Sequence, residues 1–431
     1  MTRLLVLLRR ARDVFPLTPL GVLALVAAGV ALQHLAFAQL DLVVLVVGYG
    51  LVGLVALAAL GALGFALVLR PRWRRAEAEA RREGPLALET GFATETGFSL
   101  PFFRWVPLLE TRWTWVEPAA VTEAVPRLGA RRERVTFARR GEHAGIVRVA
   151  RVGDVFGLAR VAWRRASDRP VSVAPHAGAL GALPVLRSLA GGDAIPHPMG
   201  IDEGDRMELR RYAPGDPARF IHWKIFGRTR KLVVRMPERA LSPARRNAAY
   251  LVAGEGDEAS AGAARVALRS GVLGDDWAFG ADGTPGALTD LASAEAAVIR
   301  SGGEAAREEG GRALRAFLAE VERRGPATAL IFVPARPGPW TERLGALLRE
   351  RRGRARVVLA VDGLDAGASG SFLRRLLVPA RSSGGVPLEA LEAVRAALGA
   401  TGTPLLVLDR TTGRVLGDTA LRRSARRAEA A

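Results

Sequence analysis

Two almost wholly apolar runs, Leu17 to Leu40 and Leu42 to Leu69, lie near the front of the chain, each longer than the roughly 20 residues that cross a bilayer core as helix. Between them only Gln39 and Asp41 break the pattern, which predicts a tight hairpin whose two ends share one membrane face. Beyond Gly84 the period shortens to two. In "LLETRWTWVEP", Leu109, Thr111, Trp113 and Trp115 fall on one face of a strand, and Glu110, Arg112 and Thr114 on the other. "RERVTFARRGEHAGIVRVARVGDVFGLARV" reads as two strands joined by a turn at Arg140, Gly141 and Glu142, with a second tight turn around Gly153 and Asp154. This density of turns predicts a small all-β sandwich or barrel in which the tryptophans are core, ligand stacking being the other reading of Trp105, Trp113 and Trp115. From Arg245 on, "AAYLVAG", "DWAFGA", "ATALIFVPA", "ARVVLAVDG" and "PLLVLD" are strands alternating with alanine-rich helices, which predicts a Rossmann-like α/β domain with a parallel sheet covered on both faces.

The expected organisation is multi-domain: a two-helix transmembrane hairpin with basic flanks over 1–83, a β-rich domain over 84–200, a distinctive segment over 201–240, an α/β domain over 241–420 and a basic tail over 421–431. Charge orients the hairpin. Arg3, Arg9, Arg10 and Arg12 precede the first span, and Arg70, Arg72, Arg74, Arg75, Arg81 and Arg82 follow the second, so the positive-inside rule places residues 70–431 in the cytoplasm. A cleaved signal peptide fits poorly, because the first span lies late and a longer second one follows at once. Gly48, Gly50, Gly53, Gly61 and Gly64 allow close helix contact, within the hairpin or with a partner.

The net charge of +19 changes the picture less than its size suggests. Of the basic residues only Lys224 and Lys231 are lysines, and the dominance of arginine, alanine, glycine and valine reads as coding bias plus membrane-side charge. No nucleic-acid partner is expected. The absence of cysteine excludes disulfides, thiolate zinc sites and cysteine nucleophiles. Histidines 34, 143, 176, 197 and 222 lack ligand spacing, and no cofactor is expected.

One window stands apart. "GDRMELRRYAPGDPARFIHWKIFGRTRKLVVR", Gly204 to Arg235, holds both lysines of the chain, with Tyr212, Phe220, Trp223 and Phe226 interleaved among cations. Pro214 and Gly215 suit the centre of a type II turn, Asp216 suits the cap of a short helix starting at Pro217, and "KLVVRM" resumes as a strand. Three readings of His222 stand open: a structural clasp, a contact to a partner or ligand, and acid–base catalysis with Asp205, Glu208 or Asp216 orienting the imidazole.

The window resembles the signature of the bacterial family catalogued as domain of unknown function 58. The resemblance is carried by the Arg211–Tyr212 step, by Pro214, Gly215 and Asp216, by Ile221, His222, Trp223 and Lys224, and by Arg228. Upstream, "GDVFGLAR" is similar to the family's Asp-Pro-Phe-Gly-Leu element, with Val155 in place of proline, and "VSVAPH" to its next strand. The resemblance implies a non-enzymatic protein of the bacterial inner membrane, working with a MoxR-type AAA+ ATPase and a transglutaminase-like protein in complex assembly or envelope maintenance. It brings no established catalytic residue. The alternative is an envelope-related enzyme using His222.

The resemblance also implies that the α/β domain is von Willebrand factor A-like, with a metal site of pattern Asp-x-Ser-x-Ser after its first strand. This chain departs from that pattern, reading Ala253, Gly254, Glu255, Gly256, Asp257 there, so the expected domain is metal-free. Glu255, Asp257 and Ser260 are the weak candidates for oxygen ligands. "GEGDEA" also imitates a dinucleotide fingerprint through Gly254, Gly256 and Ala259, with Asp282 at the end of the next strand; alone, such a match is weak.

Overall fold

The computed structural model describes residues 15–101, 108–182, 207–211, 222–237, 246–351, 354–365 and 385–417. They form two compact units, one of residues 1–176 with 298–305, the other of residues 177–297 with 306–431. The first unit closes at His176, where the sequence pattern carried the β-rich domain on to 200.

Two helices long and apolar enough to cross a membrane begin the first unit. Helix α1 spans Pro19–Ala31, with Thr18 capping it by accepting from the Gly21 N–H, and continues through a wider turn over Leu32–Ala36. Leu40 takes the left-handed conformation that closes the hairpin, and Asp41 caps helix α2, Leu42–Arg82, by accepting from the amides of Val43 and Val44. Of the five glycines, Gly48 is the one pressed against α1: a Cβ there would lie 2.7 Å from Leu32, whereas Gly50, Gly53 and Gly64 face open space.

Helix α2 does not stop where its apolar run stops. It passes through Pro71 and runs to Arg82, and its last turns belong to the core of the β domain. Phe65, Leu69, Trp73, Ala76 and Ala80 recur at helical spacing on one buried stripe, while the arginines between them face outward. Tertiary burial of that stripe outweighs the interruption at proline.

The stripe packs on strands of a sandwich. Strands β1 (Leu86–Glu89), β2 (Thr94–Pro101), β3 (Leu109–Glu117), β4 (Val121–Arg127), β5 (Ala130–Thr136), β6 (Gly141–His143), β7 (Ile146–Asp154), β8 (Arg160–Ser167) and β9 (Val171–Ala174) form three small sheets, ordered β2-β5-β4, β3-β7-β8 and β1-β9-β6. The alternation expected of β3 is present: Trp113 and Trp115 are buried core. The expected hairpin at Arg140 to Glu142 is not, because β5 and β7 pair in different sheets and Gly141–His143 is a short strand on β9. The second turn falls at Val155–Ala159, just after Gly153 and Asp154.

The sandwich core also contains a charge pair that sequence pattern did not announce. Glu133 and Arg148 are fully buried; the carboxylate accepts from Thr96 Oγ1 (2.6 Å), Trp113 Nε1 (2.9 Å) and the Arg148 guanidinium (2.7 Å to Nη2), which is itself stacked between Phe98 and Trp115. Every oxygen has a donor, which is what makes a buried pair tolerable.

In the second unit, strands β10 (Met207–Arg211) and β11 (Val233–Pro237) form an antiparallel ribbon carrying helix α3, Trp223–Thr229. The rest is an α/β layer fold. Strands β12 (Arg246–Leu251), β13 (Trp277–Ala281), β14 (Thr284–Leu288), β15 (Ala327–Val333) and β16 (Ala355–Val361) precede the short pair β17 (Leu364–Asp365) and β18 (Val386–Pro387), with β19 (Leu405–Asp409) and β20 (Arg414–Val415) last. The main sheet has the order β14-β13-β12-β15-β16-β19-β20, parallel in its five central strands and antiparallel at both edges. All five expected strands are present; the two edge strands are additions. Helix α4, Glu258–Arg269, packs on β12, β15 and β16, while Phe317, Trp340, Leu344 and Leu391 of three other helices join the core cluster that includes Tyr250, Ile331 and Val357.

Candidate functional site

Helix α3 is the part of the signature window that the structure describes in atomic detail. His222 is its N-cap: the Nδ1 atom accepts from the Ile225 N–H (3.4 Å), and the His222 backbone N–H donates to the Val233 carbonyl of β11 (2.8 Å). The accepting Nδ1 fixes the proton of a neutral ring on Nε2. The αL residue Arg230 ends the helix.

Two surfaces result. Trp223 is 60% exposed and meets the ring of Phe226 edge-on, centroids 6.1 Å apart. Lys224 and Arg228, four residues apart, lie exposed on a neighbouring face. Trp223, the first residue of the helix and one of the residues expected to serve a partner contact or a structural clasp, has its indole open to solvent. Arg211 ends β10 opposite Val233. Tyr212, Pro214, Gly215, Asp216 and Ile221, with Asp205, lie outside the described residues, as does the Glu208 side chain, so the expected Pro-Gly-Asp turn and the carboxylates expected to orient His222 lie outside them too.

The α/β layer has its own expected position for a ligand, the crevice at the carboxyl ends of β12 and β15 where the strand order reverses. Here it is filled. A Cβ on Gly254 would sit 2.7 Å from Pro334, Trp340 is buried behind it with its indole N–H donating to the Arg336 carbonyl, and Glu255 forms an ion pair with Arg336 across the loops. Ser260 is buried in the core: its hydroxyl donates to the Val333 carbonyl (2.6 Å) and accepts from the Ala360 N–H (2.9 Å). Asp257 accepts from the Gly254 N–H (3.0 Å). The structure therefore points Glu255, Asp257 and Ser260 to different partners, and no cluster of histidine and carboxylate ligands occurs among the described residues.

Asp282 is equally occupied. Its carboxylate accepts from the Tyr250 hydroxyl (2.7 Å) and the amides of Ala253 (2.9 Å) and Gly311 (2.7 Å), tying the ends of β12 and β13 to the loop before the helix at 314–322. Burial pushes its pKa up to about 6 despite those donors, and burial together with the Asp282 charge raises that of Tyr250. An aspartate bound this way does not present itself to a ribose, so the dinucleotide imitation is a structural knot. Sequence reading had placed Asp282 but not its role.

Beside that knot lies a cleft of about 350 Å³ whose lining includes Tyr250, Thr284, Phe317, Glu309 and Glu320. Glu309 also accepts from the Gly283 N–H (2.6 Å), which holds the β13–β14 turn. A scan against protein-family models finds no match, and searches of curated proteins and of solved structures find none either.

Proposed function

We propose that the chain is a membrane-anchored, non-enzymatic scaffold that presents its bulk to protein partners from the cytoplasmic face of a bacterial inner membrane. The observation that carries the reading is the hairpin surface. Leu23, Val26, Leu42, Val43, Val46, Val47, Leu57 and Leu60 are all exposed on the two long helices, a surface too apolar and continuous for water and suited to lipid. Because α2 then enters the β core as one helix, the anchor and the sandwich form one body, as a scaffold that must hold its partner at a fixed height requires.

The family resemblance names the partner class, a MoxR-type AAA+ ATPase, with a transglutaminase-like protein in the same assembly. The exposed Trp223 with Lys224 and Arg228 supplies a contact of the expected chemistry, an aromatic anchor beside cations. The edge hairpin β13–β14 and the central order of the main sheet support the von Willebrand factor A-like reading of the α/β layer, and its filled crevice supports a metal-free form. The helix cap made by Nδ1 supports a structural part for His222, and acid–base catalysis through its Nε2 is the alternative reading. Crosslinking in native membranes followed by mass spectrometry tests the proposal: an AAA+ ATPase recovered with the chain is expected, and recovery of the chain in the soluble fraction, free of membrane, overturns it.

A further inference from the structure

Five strand ends of the β domain come together at one end of the sandwich. Pro101 at the end of β2 pairs with Ala130 at the start of β5, Leu109 at the start of β3 pairs with Asp154 at the end of β7, and Gly153 pairs with Arg160 at the start of β8. Leu100, Leu109 and Arg131 line one small cavity with Phe65 and Leu69 of α2, which places this end against the middle of the long helix. The base of the hairpin is there as well. Thr18 donates its N–H to the Leu158 carbonyl (3.0 Å), Arg160 donates to Pro16 (2.8 Å), and a Cβ on Gly21 would fall 2.1 Å from the Leu158 oxygen.

The turns at this end carry apolar side chains outward. Asp154 shapes the β7–β8 turn by accepting from the amides of Phe156 (2.8 Å), Leu158 (3.2 Å) and Ala159, with Gly157 at φ +74° completing it. The turn leaves Val155 and Phe156 55% and 53% exposed, although every amide from Val155 to Ala159 is hydrogen-bonded. Leu108, whose carbonyl accepts from the Val155 N–H, is 53% exposed, and Leu128 at the β4–β5 tip is 96% exposed. Phe15 is exposed just before α1.

Helix geometry says what lies at that level. Counting from Leu42 at the hairpin tip, the 20 residues to Gly61 rise about 30 Å at 1.5 Å each, the thickness of a hydrocarbon core. Gly61 is the residue beside Leu109, a built Cβ there lying 3.8 Å from it. The membrane boundary set by the anchor thus falls at the end of the sandwich where Phe15, Leu108, Leu128, Val155 and Phe156 stand out. Leu63, Leu67 and Val68 extend the apolar outer face of α2 slightly beyond it, and the arginines from Arg70 on then take over.

Resting on the membrane-anchor reading, we infer that this end of the β domain is a lipid-facing wedge: the Asp154-shaped turn and the Leu128 tip insert into the headgroup and upper acyl zone and fix the domain's height and tilt on the bilayer. Rigid turns suit this role, because ordering them on the membrane costs little further entropy.

The chain has no cysteine, so one substitution creates one labelling site. Full-length Phe156→Cys, Leu128→Cys, Val47→Cys and Phe92→Cys variants, each carrying an environment-sensitive dye, are reconstituted in liposomes containing lipid brominated near the top or near the end of the acyl chain. Val47 reports the anchor, and Phe92 the opposite end of β2. Positions 156 and 128 are expected to be quenched at least half as strongly as position 47, more by the shallow bromine than the deep one, with position 92 unquenched. Quenching at 47 with 156 and 128 behaving like 92 overturns the wedge and leaves the anchor standing. Absence of quenching at 47 overturns the anchor, and the wedge with it.

Discussion

Replacing Glu133 by leucine removes the acceptor of a network that has no access to water. The carboxylate is 0% exposed and holds Thr96, Trp113 and Arg148; without it the Arg148 guanidinium, 2% exposed, keeps its charge with only the faces of Phe98 and Trp115, at 4.7 and 5.0 Å, for company. Breaking one partner of a buried pair costs about 3–5 kcal/mol, and stacking on aromatic faces, worth ~2 kcal/mol when desolvated, holds the figure near the lower end. Against a domain stability of about 5–15 kcal/mol this is a large share. The assay is urea unfolding of the full chain in detergent micelles, followed by tryptophan fluorescence, since Trp73, Trp113 and Trp115 are all buried in this domain. Adding Arg148→Met removes the stranded charge and recovers roughly half of the loss. What remains is about 1–2 kcal/mol, because Thr96 and Trp113 still lack an acceptor. A double variant no more stable than Glu133→Leu would show that the penalty comes from packing and refute the electrostatic reasoning.

The other expectations are narrower. Asp282 has a folded pKa of about 6 against 3.8 unbound to the fold, so its contribution is greatest below the unfolded value and is lost as pH rises through the folded one, by about 3 kcal/mol in all. Tyr250→Phe deletes a donor to the charged form, so thermal melts are expected to show a penalty at pH 8 clearly larger than at pH 5; equal penalties would contradict the burial argument. His222→Ala removes a cap worth about 0.5–2 kcal/mol, and His222→Asn restores it, measured by amide exchange of α3. Trp223→Ala leaves stability within about 0.5 kcal/mol, as expected for a solvent-facing side chain, yet lowers partner recovery from membranes. Gly48→Val forces Leu32 away and is expected to lower the melting temperature in micelles, while Gly50→Val, which meets nothing within 4 Å, does not.

Much of the architecture was legible because burial leaves a period. The hairpin declared itself by the length of its apolar runs, β3 by alternation ending in two buried tryptophans, and the five central strands of the α/β layer by apolar runs too short for helices. The extension of α2 past Leu69 was written in Trp73, Ala76 and Ala80, but arginines and Pro71 masked a stripe only one residue wide. Glu133 sat on the inward face of β5 beside Val135, a polar exception whose meaning depends on Arg148 in another sheet. Candidate sites were less legible: the crevice residues had the right spacing, and only tertiary packing by Pro334 and Trp340 closes it. The exposure of Trp223 follows from His222 capping a helix whose first residue is Trp223, a placement that the sequence window did not specify.

The most direct test places a photoreactive amino acid at position 223 of the full-length chain in native membranes. A light-dependent adduct with an AAA+ ATPase subunit, absent when the same group stands at exposed Glu123 on β4, is the predicted result. Equal labelling from both positions, or no adduct from position 223, would contradict a scaffold that meets its partner through α3.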